Sequence, residues 1–245
     1  MKISLITVCY NAGTTIERCI ASVLAQSFKE VEYIIIDGKS TDNTVQTIQI
    51  FKNFIHRFIS EPDQGIYDGM NKGINLASGD IIGMLNADDF FAHNEVLSRV
   101  AEAFEDQNLQ LLYGDLDFVN SSGTVFRKWR SGKYKPNVFN FGWMPPHPTF
   151  YCRRELFKAH GVYRLDLGTS ADYELMLRFI HTNKINSFYL KSVMVNMEAG
   201  GASNRNLRSR ILALQNDWKA MKSNGIAFPI LAVLLKRVRK IGQYL

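Results

Sequence analysis

The feature that most constrains the fold is an alternation of short apolar runs with helix-length segments through the first 90 residues. The apolar runs are rich in β-branched residues, as is typical of strands buried in a parallel sheet. We predict strands at residues 2–10, 33–36, 54–60 and 80–85, and helices at about 14–26, 41–51 and 67–76. This order predicts an α/β fold with a mostly parallel sheet flanked by helices.

Polar side chains follow each of these four predicted strands. They are Tyr10 with Asn11, Asp37, Asp63, and Asp88 with Asp89. Ligands of open α/β sheets bind beyond the carboxyl ends of the strands. The four positions therefore predict one continuous site along that edge.

After residue 92 the alternation becomes less regular. We predict helices at about 94–106, 153–159, 172–182 and 206–223, strands at 110–119, 125–129 and 185–197, and a last apolar segment from residue 229. A length of 245 residues fits one large domain with a short appendage. We place a catalytic body at 1–204 and a helical C-terminal extension at 205–245.

Charge divides the chain at the same place. From Arg205 onward there are nine Lys and Arg residues and one acid, Asp217, which leaves −2 for residues 1–204 out of a total of +6. Such asymmetry suggests an anionic surface as partner, either a membrane or a nucleic acid. No nucleic-acid recognition motif accompanies the charge, so we favour the membrane.

The N-terminal apolar run reaches polar Tyr10 too early for a secretory signal, and no stretch approaches the roughly 18 apolar residues of a membrane span. The chain has three cysteines, Cys9, Cys19 and Cys152, which cannot all form pairs and do not have the spacing of a metal site. This favours free thiols in a reducing compartment. We expect a cytoplasmic protein.

The segment Asn86-Ala87-Asp88-Asp89 suggests a metal site. Adjacent carboxylates in a tight turn are costly unless a cation neutralises them, and hard divalent ions prefer carboxylate and phosphate oxygens. The alternative is that Asp88 or Asp89 caps a helix at residues 90–93.

Asp37 follows an apolar strand and could accept from a ribose hydroxyl or a base N–H, or it could belong to an Asp-Gly turn before a capped helix. A haloacid-dehalogenase-type phosphatase needs an acid two positions further on, where this chain has Lys39. Neither glycine-rich phosphate loop, Gly-x-x-x-x-Gly-Lys-Ser/Thr or Gly-x-Gly-x-x-Gly, is present. A metal would have to hold the phosphates instead.

Four segments together resemble the family 2 glycosyltransferases with the GT-A fold, nearest to bacterial polysaccharide-assembly members of the colanic-acid type. They are residues 6–11 (ITVCYN), 36–42 (IDGKSTD), 61–73 (EPDQGIYDGMNKG) and 85–89 (LNADD). The resemblance covers about the first 200 residues. It implies a donor-binding half at about 1–119, an acceptor-side half at 120–204, and sugar transfer from a nucleoside-diphosphate sugar with inversion.

The resemblance also implies roles for individual residues. Asp88 would hold Mg²⁺ or Mn²⁺ with support from Asp89, and Asn86 stands where many members have Asp. The implied nucleotide-sugar-binding residues are Thr7, Tyr10, Asn11, Asp37, Asp68, Asn71, Asn86 and Ala87.

Asp172 is the expected catalytic base, since the resembling enzymes carry a Glu-Asp pair before such a helix and this chain reads Ala171-Asp172. Transfer to a hydroxyl needs a positioned base. Two alternatives are an acid that complements a helix dipole, and Glu174 as the base.

Trp143 and His147 are acceptor-side candidates: Trp143 could stack on a sugar or pack in the core, and His147 could face the acceptor, supplement the metal or be structural. Gly200-Gly201 resembles a mobile loop near the donor site. The segment 228–241 joins an apolar run to a basic cluster, as in helices that lie on anionic membranes, or it packs on its own domain.

Two other functions remain compatible with the sequence. A nucleotidyltransferase also combines an α/β nucleotide-binding domain with a metal but releases pyrophosphate. A non-catalytic subunit would bind a sugar nucleotide without turnover. The expected acceptor is a saccharide or a lipid-linked saccharide used in cell-surface polysaccharide synthesis at the inner face of the plasma membrane.

Overall fold

The computed structural model describes residues 1–198 and 207–244, except for the side chains of 207–210. Its strands are β1 (Ile3–Cys9), β2 (Val31–Asp37), β3 (Arg57–Ser60), β4 (Ile81–Met84), β5 (Asp89–Phe91), β6 (Leu111–Val119), β7 (Val125–Trp129), β8 (Tyr151–Arg153) and β9 (Ser187–Glu198). Its α-helices are α1 (Ile16–Leu24), α2 (Thr44–Ile50), α3 (Ile66–Leu76), α4 (Val96–Ala103), α5 (Glu155–His160), α6 (Ala171–Met176), α7 (Leu207–Ser223) and α8 (Pro229–Ile241). The segment containing Gly200-Gly201 lies outside the described residues.

The described strands form one nine-stranded sheet in the order β3-β2-β1-β4-β8-β6-β9-β5, and β7 pairs with β6. The first four strands are parallel to one another, as the sequence predicts. The second half is mixed, because β8 joins β4 to β6 in antiparallel fashion while β6 and β9 are parallel. The three-residue strand β8 is not predicted by the sequence pattern.

Some local predictions are wrong at element ends. The helix α1, predicted at about 14–26, begins at Ile16 with Thr15 at its N-cap and without a hydrogen bond from a capping side chain. The helix predicted at 172–182 consists of α6 followed by a π-helical turn at Leu177–Thr182.

Helices cover both faces of the sheet. Side chains of β1 alternate between two apolar clusters: Leu5 and Cys9 pack with α1, α2 and α4, whereas Ile6 and Val8 pack with α3 and with helices α5 to α8. Because both faces are buried, every residue of β1 is buried. The three cysteines are buried and unpaired, as predicted.

The C-terminal helices α7 and α8 pack on the body of the protein. Ala220 of α7 and Ala232 of α8 are buried in the same cluster as Tyr173 of α6. Lys236 donates to Asp217 at 2.8 Å, and its Nζ lies 3.7 Å from the centre of the Tyr173 ring. The predicted extension thus shares a core with the body. Over the described residues, no helix is long and apolar enough to span a membrane.

Candidate active site

The carboxyl ends of the parallel strands meet at one edge of the sheet. The register aligns Cys9 at the end of β1 with Asp37 at the end of β2, and Asp37 with Ser60 at the end of β3. Met84 ends β4 on the other side of β1. The polar segments predicted to share an edge therefore do so.

Asp37 is fully buried, and both carboxylate oxygens accept hydrogen bonds within the chain. Its donors are the Ser40 N–H at 3.0 Å, the Ser60 hydroxyl at 2.6 Å and the Ser40 hydroxyl. The pKa of the neighbouring Cys9 thiol is raised, first by burial and then by the charge of Asp37. Through these bonds Asp37 holds the loop after β2 in place.

Thr7 is also fully buried. Its hydroxyl lies 3.2 Å from the Tyr33 hydroxyl and 3.9 Å from the Cys19 sulfur. Because side chains alternate along a strand, Thr7 lies on the same face of β1 as Leu5 and Cys9, which pack with α1. Its side chain therefore packs between β2 and α1.

Tyr10 and Asn11 lie at the rim of this edge. Tyr10 is 64% exposed. Asn11 adopts a left-handed conformation (φ 50°), its amide oxygen accepts from the Thr41 N–H at 2.9 Å, and its own N–H donates to the Ser40 hydroxyl at 2.8 Å. These bonds join the loop after β1 to the loop after β2 and leave the Tyr10 ring in solvent.

Asp68 and Asn71, both expected to bind the donor, make contacts within the chain. Asp68 accepts from the Gln64 N–H at 3.1 Å and lies 3.6 Å from Lys72, so it closes the first turn of α3. The Asn71 amide bridges the Tyr163 backbone, donating to its carbonyl at 2.9 Å and accepting from its N–H at 3.0 Å. In the structure, Asp68 thus stabilises the start of α3, and Asn71 fixes the backbone at Tyr163.

Asp63 was predicted to follow the third strand, and the sequence assigned it no function. Its carboxylate accepts from the Gly65 N–H at 2.9 Å. A Cβ on Gly38 would lie 2.6 Å from Asp63 Oδ2, and one on Gly69 would lie 3.5 Å from the same atom. Gly38 thus lets the Asp63 carboxylate sit close against the loop after β2, whereas a Cβ at Gly69 would be in ordinary contact with it.

The turn Asn86–Asp89 is compact and polar. Asn86 donates its amide N–H to Asp89 Oδ2 at 3.1 Å, and its carbonyl accepts from the Asp89 N–H at 3.0 Å. Asp89 then begins strand β5, so the helix-cap alternative is wrong. Ala87 is buried beneath the turn.

Two buried oxygens of this turn have no partner among the described residues: Asn86 Oδ1 and Asp89 Oδ1. Asp89 is 1% exposed, and its pKa is raised well above the usual range, first by burial and then by the charge of Asp88. Burial also raises the pKa of Asp88, which is less enclosed. One unpaired carboxylate oxygen and one unpaired amide oxygen fit the oxygen ligands that a hard divalent cation prefers.

The described residues contain no group of three or more His, Cys, Asp or Glu side chains close enough to hold a metal ion. The neighbouring carboxylates of Asp88 and Asp89 are the acidic groups of this turn that could hold a cation. One or two protein carboxylates are usual in Mg²⁺ sites.

Arg18 and Glu198 flank the acidic turn and were not identified from the sequence. They form an ion pair at 2.5 Å across 180 positions, and the guanidinium of Arg18 lies 4.3 Å from the centre of the Phe90 ring. The pairing of β5 with β9 sets Asp89 opposite Met197, which brings Glu198 beside Asp88. The Glu198 charge raises the Asp88 pKa and Arg18 opposes it, so Arg18 offsets part of the acidic charge.

Asp172 lies in the first turn of α6, half-buried, and its Oδ1 accepts from the Tyr173 N–H at 2.7 Å. The rival Glu174 is 2% exposed, with Arg178 donating to its two oxygens at 3.1 and 3.0 Å. The Asn224 amide donates to Glu174 at 3.3 Å. Glu174 therefore braces α6 against its neighbours, and Asp172 is the more accessible carboxylate of the two.

Trp143 and His147, the acceptor-side candidates, are both buried. The Trp143 indole donates to the Ser131 carbonyl at 2.8 Å and packs edge-on against Phe139. His147 Nε2 lies 2.6 Å from the Tyr163 hydroxyl. Burial lowers the His147 pKa, with the Asp172 charge acting against that shift.

Comparison with solved structures identifies the class of fold. The chain superposes on Staphylococcus aureus TarS 1–349 in complex with UDP with a TM-score of 0.70 at 19% identity, covering 97% of this chain and 71% of that one. It matches the Pyrobaculum calidifontis mannosyltransferase PcManGT, in complex with GDP-Man and Mn²⁺, with a TM-score of 0.70 at 15% identity over 99% of this chain and 72% of that one. The architecture is that of a GT-A glycosyltransferase, as predicted.

Sequence comparison then gives the family. The family model for "Glycosyl transferase family 2" matches residues 4–163, so the chain belongs to family 2 of the glycosyltransferases and is an enzyme of that class. A "PGL/p-HBAD biosynthesis glycosyltransferase" of Mycobacterium bovis is 30% identical over 246 residues, covering 97% of this chain and 91% of the relative. The chondroitin synthase of Pasteurella multocida is 26% identical over 185 residues, which is 72% of this chain and 19% of that protein.

Proposed function

We propose that the enzyme transfers a sugar from a nucleoside-diphosphate sugar to a hydroxyl of a saccharide or lipid-linked saccharide, with inversion at the anomeric carbon. The observation that carries this proposal is the Asn86–Asp89 turn, whose unpaired buried oxygens lie at the carboxyl edge of the parallel sheet. The neighbours solved with UDP and with GDP-Man support a nucleotide-sugar donor. Tyr10, Asn11 and Asn86 would border the nucleotide.

Asp88 and Asp89 would hold the divalent metal, either Mg²⁺ or Mn²⁺. Mn²⁺ in the mannosyltransferase neighbour supports this assignment. When bound, such an ion offsets the negative charge that develops on the departing diphosphate. The buried setting of Asp89 strengthens attraction for a cation, because the surroundings screen charge poorly.

Asp172 would act as the base for the acceptor. Its carboxylate takes the proton of the acceptor hydroxyl while that oxygen forms a bond to the anomeric carbon. The bond from the anomeric carbon to the diphosphate oxygen breaks on the opposite face, and the nucleoside diphosphate leaves with the electron pair. Glu174 is unsuited to this role because Arg178 and Asn224 occupy its oxygens.

The acceptor would be met at an anionic membrane surface, on the inner face of the plasma membrane, during cell-surface polysaccharide synthesis. The outer face of α8 supports this, because Ile230, Leu231, Leu234, Val238 and Ile241 recur at helical spacing and each is at least 50% exposed. The same helix contains four basic residues and no acidic one. An apolar stripe beside basic charge suits an anionic bilayer.

Thermal-shift measurements with a panel of nucleotide sugars, with and without Mn²⁺, test the donor assignment. The cognate donor should raise the melting temperature in a metal-dependent manner, since a ligand that binds the folded state stabilises it. Product analysis should find a nucleoside diphosphate. Release of pyrophosphate would instead identify a nucleotidyltransferase, and donor binding without transfer or donor hydrolysis would identify a non-catalytic subunit.

Vesicle co-sedimentation tests the membrane surface. Leu234→Glu with Val238→Glu should abolish binding to vesicles containing phosphatidylglycerol, and the wild type should not bind neutral phosphatidylcholine vesicles. Ile50→Glu, at a 75% exposed position of α2, is the matched control and should bind as the wild type does. Equal binding by all three proteins would contradict the assignment, as would a concentration-dependent dimer that the α8 changes disrupt.

A further inference from the structure

The helix that carries Asp172 is too short to fix its own geometry. Helix α6 has six residues, begins after Ser170 without a hydrogen bond from a capping side chain, and passes at Leu177 into the π-helical turn. A helix of this length is marginal by itself, because its first turn is costly to form and few hydrogen bonds follow. The direction of the Asp172 side chain therefore depends on the residues that pack against α6.

Tyr173 holds the Asp172 carboxylate through the backbone. Its N–H donates to Asp172 Oδ1 at 2.7 Å, so a movement of this peptide unit moves the carboxylate with it. The Tyr173 side chain is fully buried, and its hydroxyl has no hydrogen-bond partner among the described residues. The contacts that fix this residue are therefore those of its ring.

The C-terminal helices hold the Tyr173 ring. Lys236 of α8 lies over it, with Nζ 3.7 Å from the ring centre, and the ring of Phe139 packs on it at 6.1 Å between centres. Asp217 of α7 accepts from Lys236 Nζ at 2.8 Å, and the Lys236 and Asp217 side chains are only 13% and 15% exposed. A cation is attracted more strongly to an aromatic face when water is excluded. The ion pair thus ties both C-terminal helices to the residue that follows the proposed base.

The body of the protein in turn fixes the position of Lys236. Gly142, with φ 71°, lies so close to α8 that a Cβ on it would collide with the Lys236 backbone. Arg239, three residues further along α8, donates from Nε to the Phe141 carbonyl at 3.0 Å. A buried ion pair gives little net stability compared with apolar packing, so stability alone does not account for a charge at this place. The charge adds a directional contact with one face of the Tyr173 ring.

We propose that Lys236 is a positioning residue for Asp172: its ammonium, held by Asp217, fixes the Tyr173 ring and thereby the peptide unit that orients the carboxylate toward the acceptor. The C-terminal extension then contributes to turnover, in addition to any contact with a membrane. This inference rests on the proposed role of Asp172 as the base.

Lys236→Met keeps the length of the side chain and removes its charge. We expect kcat to fall roughly 10- to 100-fold, because a misplaced base loses alignment with its substrate. The KM for the donor should change less than about threefold, since the acidic turn is untouched. Lys236→Arg keeps a cation that can lie over the ring and should recover most of the wild-type kcat. Release of nucleoside diphosphate measures kcat, with the donor selected by thermal shift and with water or an octyl glycoside as acceptor.

Lys222→Met is the matched control. Lys222 Nζ also lies over an aromatic ring, 5.0 Å from the centre of Trp218, but both residues are exposed and both belong to α7. Its kcat and melting temperature should equal those of the wild type. If Lys236→Met does not fold, Asp217→Asn gives the same test with a smaller fall in kcat, because the ammonium stays over the ring and loses only its anion.

A double-mutant cycle tests the route through the ring. Because Lys236 acts through Tyr173, adding Lys236→Met to Tyr173→Leu should lower kcat by less than about threefold further. All rates are measured well below the melting temperature of each variant, so that loss of folded enzyme does not contribute. Independent, multiplying losses in the cycle would overturn the positioning role.

The outcomes separate this inference from the proposed function. If Asp172→Asn is inactive while folded Lys236→Met retains the wild-type kcat, Lys236 is a packing residue and the base assignment stands. A lower melting temperature of Lys236→Met with an unchanged kcat leads to the same conclusion. If folded Asp172→Asn turns over like the wild type, the base assignment fails, and the role of Lys236 fails with it.

Discussion

Replacing Asp89 with Asn should stabilise the metal-free enzyme and at the same time remove its response to metal. The carboxylate is 1% exposed, accepts one hydrogen bond from Asn86 and leaves its second oxygen without a partner in the described structure. An unpaired buried polar atom costs about 1–3 kcal/mol, and more when it is charged. Asparagine keeps the shape and the bond to Asn86 and removes the charge.

We take about 2 kcal/mol as the gain in the free energy of unfolding without metal, near the middle of that range. For a chain of this size, 1 kcal/mol shifts the melting temperature by about 2–4 °C, so Asp89→Asn should melt about 4–8 °C higher in EDTA. With Mn²⁺ and nucleotide at 100 times the dissociation constant, the wild type should gain about 2.7 kcal/mol, and the variant should gain little.

The pH dependence gives an independent readout of the same charge. Because the folded-state pKa of Asp89 is raised above its ordinary value of 3.8, folding favours the protonated acid. The metal-free wild type should therefore lose stability as the pH rises from about 4 through the raised pKa. Asp89→Asn should show a shallower decline, with the remainder due to Asp88, whose pKa is also raised.

Thermal and urea denaturation in EDTA and in Mn²⁺ with nucleotide measure these quantities. Asp166→Asn is the control, because that acid is highly exposed beside Arg164 and should change stability by less than about 0.5 kcal/mol. A fall in stability of Asp89→Asn in both conditions would refute the reasoning, since it would mean that the charge has a stabilising partner in the fold. An unchanged Mn²⁺ response would refute the metal assignment.

Three further changes test other contacts. Asp172→Asn should abolish transfer with little change in melting temperature, measured by product release and thermal unfolding. Glu174→Gln should lower the free energy of unfolding in urea by about 3–5 kcal/mol, because it leaves Arg178 without its buried partner, while folded enzyme keeps its activity. Gly142→Ala should lower stability by about 1–3 kcal/mol more than Gly132→Ala, because both glycines have positive φ but only at Gly142 would a Cβ lie 2.2 Å from the Lys236 backbone.

The sequence predicted the donor half of the fold well because its strands are continuous apolar runs that end in polar turns. That pattern depends on burial of both faces, which the parallel strands β1, β2 and β4 have. The pattern did not predict β8, because a strand of three residues is too short to show an alternation of apolar and polar side chains. It also failed at β5, where a segment that could have capped a helix pairs with β9 instead.

The same limit applies to the site. Alternation in β1 shows that Thr7 shares a face with Leu5 and Cys9, but it does not show which face receives helix α1 and which borders α3. The sequence identified Asp172 and Glu174 as rivals. Only the distant Asn224, together with Arg178, shows that Glu174 is occupied.

By itself, the sequence determined that the first four strands form a parallel sheet flanked by helices and gather their acids at one edge, because strand periodicity and turn residues are local properties. The tertiary structure decided which of those acids are available. It satisfied Asp37 with Ser40 and with Ser60 at the end of β3. Among the described residues it left an oxygen of Asp89 unpaired, and it set Arg18 against Glu198 across 180 positions. The physical reason is that the charge and hydrogen bonding of a side chain depend on neighbours that only folding brings together.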